Sequence, residues 1–461
     1  MSIRCVSPVD GRVYAERTAA TAAQIDQALH RARVAQPLWR RVPLAERTAL
    51  IERFCREFEQ RGPAVAHELS WQMGRPTRFA PSEVRGTLER ARHMAGIAAT
   101  ALADLDAGPK PAFRRFIRRE PLGVVFTVAA WNYPYLIAVN SVVPALLAGN
   151  AVVLKHSAQT PLCGERFAEC FAAAGLPPGL FQVLHLTHAD TEAVIRDPRI
   201  DFVAFTGSVA GGRAVQRVAA ERFIGVGLEL GGCDPVYVRP DADLSHAIEN
   251  IVDGAYFNSG QSCCGLQRIY VHESVHERFV RGCIELIGQY RLGDPLEPET
   301  TLGPVVRTAA ADTIRAQVRA TIACGARPAI DERAFPRSRA GTPYLAPQLL
   351  LDAPATSSVM REEIFGPVAG VMKVHSDAEA VAQMNDSAFG LTAAVWTGDE
   401  RAAVALGEQV QTGTWFMNRC DYLDPALAWV GVKDSGRGCT LSVVGFEHLT
   451  RPKSFHLRVT T

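Results

Sequence analysis

Apolar residues in the first hundred positions recur at helical spacing. Ile25, Ala28, Leu29 and Ala32 form one such series, and Thr21 stands where it would cap the helix. A second helix is expected over 43–60, with Leu44, Leu50, Ile51, Phe54 and Phe58 on one face. More amphipathic helix follows to about residue 102, whereas 1–18 are polar and turn-rich and 104–110 read as a Gly/Pro/Asp loop. From Val124 the pattern changes. Short apolar runs at 124–130, 151–154, 181–186, 202–205 and 224–230 read as strands, with helical stretches such as 136–147 and 161–174 between them. This alternation predicts an α/β fold with a parallel sheet covered by helices, of the Rossmann nucleotide-binding type. Ligands of such sheets sit beyond the carboxyl ends of the strands. Trp131, Asn132, Lys155 and the run Thr206-Gly207-Ser208 all fall there.

A second α/β region is expected from about 234 to 433, with strands at 268–271, 369–374 and 393–396. The Arg/Phe-rich stretch 113–119 and the last segment, 452–458, read as strands with few neighbours of their own. Exposed strands are normally covered or paired, so these arms predict a homodimer or homotetramer, although each could instead lie on its own domain.

Composition narrows the function classes. At 461 residues the chain is long for one core and suggests two or three domains. The net charge is +1, with Lys and Arg spread along the chain, which argues against nucleic-acid or membrane-surface partners. No stretch reaches the roughly 18 apolar residues of a membrane helix, and no signal peptide is visible. The 11 cysteines lack CxxC or metal-finger spacing; reduced thiols in a cytoplasmic protein fit better than a disulfide framework, and no metal site is expected.

Two of those cysteines are adjacent, in Phe257-Asn258-Ser259-Gly260-Gln261-Ser262-Cys263-Cys264-Gly265, a glycine-containing turn after a helix. A thiolate exposed to a cleft is a strong nucleophile, although a free Cys is more often a small buried hydrophobe. Other motifs shift that balance. Asn132 lies in Trp-Asn-Tyr-Pro, Lys155 in Val-Val-Leu-Lys, Glu229 in Leu-Glu-Leu-Gly-Gly and Cys263 in Gly-Gln-Ser-Cys. With Phe205-Thr206-Gly207-Ser208, Glu362-Glu363-Ile364-Phe365-Gly366-Pro367 and Gly431-Val432-Lys433-Asp434-Ser435-Gly436, their order and spacing resemble the aldehyde dehydrogenase superfamily over nearly the whole chain.

The resemblance implies a Rossmann-type cofactor domain (1–102 and 122–231), an α/β catalytic domain (232–440) and a small β oligomerisation arm (103–121 and 441–461). It also implies oxidation of a small-molecule aldehyde to the acid with NADP or NAD. Cys263, two after the Gln, would attack the aldehyde to give a thiohemiacetal, and Cys264 would be a packing neighbour. Asn132 and the Cys263 backbone N–H would hold the oxyanion, and Glu229 would activate the water that hydrolyses the thioester. Among cofactor contacts, Lys155 would reach the adenosine ribose, Ser208 and Trp131 the pyrophosphate region, and Glu363 the nicotinamide ribose. Phe365 would pack by the nicotinamide, and Gly207 and Gly212 would allow close backbone approach. Gly225-Val226-Gly227 looks like a dinucleotide loop but is expected inside a strand.

The chain departs from the family pattern after Lys155, where the run is Lys155-His156-Ser157-Ala158. The family's usual Glu, three after the Lys, would repel a 2′-phosphate. Ala158 in its place, with Lys155, Ser157 and His156 near, leads to the expectation that NADP is used at least comparably to NAD. Tyr133, Asn140, Ser262, Cys264, Trp429 and the segment 419–424 are expected to line the substrate funnel. Asp421 and Asp424 would suit a neutral or cationic aldehyde; Arg419 would suit succinate semialdehyde unless it pairs with one of those acids. Retention of Glu229 tells against a CoA-acylating enzyme, and retention of Asn132, Glu229 and Cys263 together against a non-catalytic relative.

Overall fold

A computed structural model describes residues 1–460. The polar segment expected to be irregular is instead a hairpin: Ser2–Val6 pairs antiparallel with Val13–Thr18. Its alternation was hidden because only Cys5 and Ala15 are buried in it. Four helices follow, Ala22–Trp39, Leu44–Gln60, Gly62–Met73 and Pro81–Ala101. Thr21 caps the first as expected, its side chain accepting from the Gln24 N–H while Gln24 reaches back. Gly74, at φ +83°, ends the third in the left-handed region. Leu50, Ile51, Phe54 and Phe58 are buried, in a core that continues under the first large sheet.

That sheet has six strands in the order Gly436–Arg437, Gly225–Glu229, Phe202–Thr206, Val124–Ala129, Ala151–His156, Phe181–Val183. The last five are parallel, and Gly436–Arg437 joins the edge antiparallel, pairing Gly436 with Glu229. Val124–Ala129, first in sequence among the parallel strands, lies in the middle, with connections leaving to both sides. Such a switch point opens a crevice at the carboxyl ends. Gly225 and Gly227 lie inside a strand, where the Phe202 ring occupies the space beside them.

The second sheet has seven strands, in the order Arg327–Pro328, Gln348–Leu351, Val368–Val374, Leu266–His272, Asp234–Val238, Thr392–Trp396, Thr414–Met417. All are parallel except Arg327–Pro328, and two cores cover their faces. Further along, the chain returns to the first core, to which Trp429, Leu441, Phe446 and Leu449 belong.

The two arms pair with one another. Thr450–Arg458 runs antiparallel along the whole of Phe113–Pro121, and Leu105–Asp106 adds a third short strand. Phe116 stacks on Phe455 with centroids 4.6 Å apart. The shared face explains the Arg/Phe pattern: Arg118 lies over both rings, so each cation covers aromatic surface.

Candidate active site

Helix Leu244–Tyr256 ends at a tight turn in which Asn258, Ser259 and Gly260 all take left-handed φ, at +54°, +57° and +69°. Two of the three are not glycine, so the turn is strained and must be held from outside. Asn258 donates to the carbonyls of Asn132 and Gln261, both at 3.2 Å, and accepts from Arg75 Nε at 3.1 Å. Ser259 donates to the Gly303 carbonyl at 2.8 Å, and Gln261 Oε1 accepts from the Val306 N–H at 2.8 Å. Gly260 has no room for a Cβ, which would lie 2.0 Å from the Gly366 carbonyl oxygen. Gly232 passes equally close to the Cys263 carbonyl. The turn is thus clamped between the strand ends of both sheets, leaving Cys263 half-exposed and Cys264 buried.

Asn132 follows the central strand Val124–Ala129 and is buried. Its Nδ2 donates to the Gln261 carbonyl at 3.2 Å, so it touches the turn that bears Cys263. A side-chain amide has two N–H donors, which leaves one for a further acceptor. Its own carbonyl accepts from Arg75 Nη2 at 2.6 Å. Arg75 forms an ion pair with Glu83, and both side chains are almost wholly enclosed. Glu83 also accepts from the N–H groups of Tyr135 and Leu136, at the start of helix Pro134–Leu147. The buried pair therefore ties the nucleophile turn, Asn132 and a helix N-terminus into one network. Neither residue was expected from the sequence; Gly-Arg-Pro and one of two acids on an amphipathic helix carry no signal of their contact.

Glu229 ends its strand beside the crevice. The Thr440 hydroxyl donates to its Oε1, from the stretch just after Gly436–Arg437. Burial pushes the Glu229 carboxyl above the usual carboxylate range, against the opposing pull of Thr440, Arg90 and Trp429. Cys263 and Glu229 line one cavity of about 340 Å³, so the structure brings together the predicted nucleophile and base. Tyr133, Asn140, Ser262, Cys264, Asp421, Tyr422 and Trp429 line it as expected. Asp424 and Arg419 do not: Asp424 accepts from the Ala426 N–H, and Arg419 lies 3.7 Å over the Tyr422 ring with no ion pair to either acid. Helix Pro81–Ala101 adds two cations that were not anticipated. Ser82, Arg85, Gly86, Glu89 and Arg90 share the helix face turned to the cavity, at helical spacing the sequence could have shown. Arg85 is exposed at its edge; Arg90 is buried and donates to the Leu136 carbonyl and to Asn140 Oδ1.

Further candidate residues stand at or near the carboxyl ends of the other strands of the six-stranded sheet. Lys155 is mostly enclosed, and its ammonium has no hydrogen bond or ion pair among the described residues; burial lowers its pKa. His156 does not join it. Its Nε2 lies 3.1 Å from the Pro134 carbonyl, its Nδ1 accepts from the Ser157 N–H, and burial depresses it to about 4, so it carries no charge toward a phosphate. Ala158 is exposed, and the Ser157 hydroxyl accepts from the Gln159 N–H at 3.2 Å. Ser208 caps helix Val209–Ala219, accepting from the Gly211 N–H at 3.2 Å. The remaining N–H groups of that first turn offer an anion site at the end of strand Phe202–Thr206. Gly207 makes room for the Phe205 ring, while the space at Gly212 is filled by Leu230. Leu230 thus packs directly against the helix backbone at Gly212. Glu363 accepts from the Gly232 N–H at 3.0 Å, and burial raises it to about 7. Phe365, at φ +56°, sets its ring edge-to-face with Trp131, centroids 5.5 Å apart. An unpaired cation, a helix N-terminus, an aromatic pair and a carboxyl group, all at or near these strand ends, fit the parts of a nicotinamide dinucleotide.

Known proteins share this architecture. The profile of the Aldehyde dehydrogenase family matches residues 1–455. Succinate-semialdehyde dehydrogenase [NADP(+)] 1 of Mycobacterium tuberculosis is 33% identical over 456 residues, covering 98% of this chain and 99% of its own. An NAD-dependent aldehyde dehydrogenase from Sinorhizobium meliloti superposes with a TM-score of 0.94 at 32% identity, over 100% of this chain and 92% of its own. An NADP-dependent glyceraldehyde-3-phosphate dehydrogenase from Bacillus halodurans C-125, complexed with NADP, gives 0.93 at 30% identity, over 100% and 96%. With the fold, the strand-end motifs and the match along nearly its full length in agreement, this chain belongs to the aldehyde dehydrogenase family.

Proposed function

We propose that the chain oxidises an aldehyde to its carboxylic acid through a covalent intermediate on Cys263, using NADP or NAD. The observation that carries this reading is the single cavity that holds both Cys263 and Glu229, with Asn132 bonded to the nucleophile turn. The bound dinucleotide supplies a hydride acceptor. Lys155, Ser208, Glu363 and the Trp131–Phe365 pair would hold it, with Ser157 beside a 2′-phosphate. Cys263 adds to the aldehyde carbon, and the second N–H of Asn132 and the Cys263 backbone N–H take the oxyanion charge. After oxidation, Glu229 removes a proton from water, which attacks the thioester and releases the acid. A base with a raised pKa suits this step, since it binds the proton more strongly. The six-stranded unit serves the cofactor, the seven-stranded unit carries the nucleophile, and the paired arms present the Thr450–Arg458 edge to a second copy.

A second reading concerns specificity. Arg85 and Arg90 on the cavity wall would attract an aldehyde with an anionic tail, in line with the succinate-semialdehyde activity that names the mycobacterial relative. The neutral or cationic aldehyde expected from Asp421 and Asp424 loses half its basis, because Asp424 lies off the cavity. A panel of anionic, neutral and cationic aldehydes, assayed with both cofactors and no CoA, tests both readings. Reduced cofactor forming with none of them would refute the function. The highest kcat/KM with succinate semialdehyde would support the anionic reading.

A further inference from the structure

The chain presents two adjacent thiols, and the reaction needs one. We propose that Asp421 is the positioning residue that singles out Cys263, by gripping the residues on both sides of it. Asp421 Oδ1 accepts from Ser262 Oγ at 3.1 Å and from Cys264 Sγ at 2.9 Å. It reaches them from the segment after strand Thr414–Met417, at a left-handed φ of +49°, and forms no ion pair among the described residues. One oxygen atom thus holds the residue before the nucleophile and the residue after it.

Two consequences follow for the thiols. The hydrogen bond to Cys263 and burial keep Cys264 a protonated S–H donor, and the Asp421 carboxyl beside it adds to both. Cys263, partly exposed on the cavity wall, is left as the sulfur open to substrate. The same grip fixes the orientation of the Cys263 backbone N–H, an oxyanion donor, and displacement of about 1 Å in such a group can cost on the order of a hundredfold in rate. Asp421 also lines the cavity, so its direct contact with a charged substrate is the competing account that the test must separate.

The inference rests on Cys263 being the nucleophile. The test uses the full-length chain with bound cofactor, as wild type, Asp421→Ala and Asp421→Asn, treated with limiting iodoacetamide, and the alkylated sulfur is located by fragment mass. In the wild type, Cys263 should be labelled over Cys264 by at least about tenfold, because Cys263 is partly exposed and Cys264 is buried. In Asp421→Ala, label should appear on Cys264 and kcat should fall about 10–100-fold, with KM for a neutral aldehyde nearly unchanged. Asp421→Asn keeps an acceptor oxygen and should restore kcat to within about threefold. Exclusive Cys263 labelling with wild-type kcat in Asp421→Ala overturns the proposal. So does a change confined to KM for charged aldehydes in both variants. Preferential Cys264 labelling of the wild type would overturn the nucleophile assignment itself. Should Asp421→Ala not fold, the double variant Ser262→Ala, Cys264→Ala removes both donors, and wild-type kcat in it refutes the grip.

Discussion

Replacing Thr440 by Val removes the hydroxyl that donates to Glu229 while keeping nearly the same shape. The structure fixes the direction of the effect. Burial already raises the Glu229 carboxyl, and the Thr440 hydrogen bond is the largest contribution opposing that rise. Hydrogen bonds to a charged group contribute about 1.5–3 kcal/mol, and one pKa unit corresponds to about 1.36 kcal/mol. Losing the bond should therefore raise the pKa by about 1–2 units, with part recovered if water takes the place of the hydroxyl. In the proposed reaction Glu229 would act as a base only when ionised, so the acidic limb of the pH–rate profile should move to higher pH by the same amount. On the alkaline side, where Glu229 stays ionised, the rate should match or slightly exceed that of the wild type, because a base of higher pKa accepts a proton more readily. The assay is kcat against pH, with an aldehyde for which a burst of reduced cofactor shows that thioester hydrolysis limits turnover. Thr440→Ser keeps the donor and should leave the limb in place. A Thr440→Val limb within about 0.3 unit of the wild type would show that the hydroxyl does not govern the base.

Four further outcomes follow. Cys263→Ala should abolish aldehyde oxidation but retain cofactor binding by fluorescence titration, whereas Cys264→Ala should keep a substantial part of kcat; the reverse would exchange their roles. Glu229→Gln should acylate and then stall, leaving an added mass on Cys263 in intact-protein spectra, and near-normal steady turnover would remove Glu229 from the mechanism. Ala158→Glu should swing kcat/KM toward NAD by about tenfold, since a carboxylate beside Lys155 would repel a 2′-phosphate, and a wild type favouring NAD more than about a hundredfold would show that Ala158 does not set the preference. Arg75→Met leaves Glu83 buried without its partner and should cost about 3–5 kcal/mol of stability by denaturant titration; a loss below about 1 kcal/mol would mean the network is not the clamp described here.

The general plan and the chemical groups were legible in the chain. Strand-helix alternation and turn residues are local. The motifs holding Cys263, Glu229, Asn132, Lys155 and Glu363 are each weak alone, and only their order and spacing along the chain, through the resemblance to one family, singled those residues out. The hairpin at the start was missed because most of its residues are exposed, so its alternation never shows as apolar against polar. Its position in the chain places His156 beside a 2′-phosphate, but burial, which no local pattern shows, lowers its pKa, with Lys155 adding to the lowering and the Pro134 carbonyl opposing it.

The groups that tune the site were decided by tertiary structure alone. Thr440 meets Glu229 across 211 positions, Asp421 meets Cys264 across 157, and Arg75 meets Asn258 across 183. No periodicity couples residues so far apart; they meet because a strand from late in the chain adds to the cofactor sheet and because two cores close on one turn. The sequence by itself determines which residues can do chemistry, since nucleophile, base and amide are properties of side chains. Which of two thiols ionises, how strongly the base holds its proton and what faces the substrate depend on burial and on the nearest charge, and those exist only once the chain is folded.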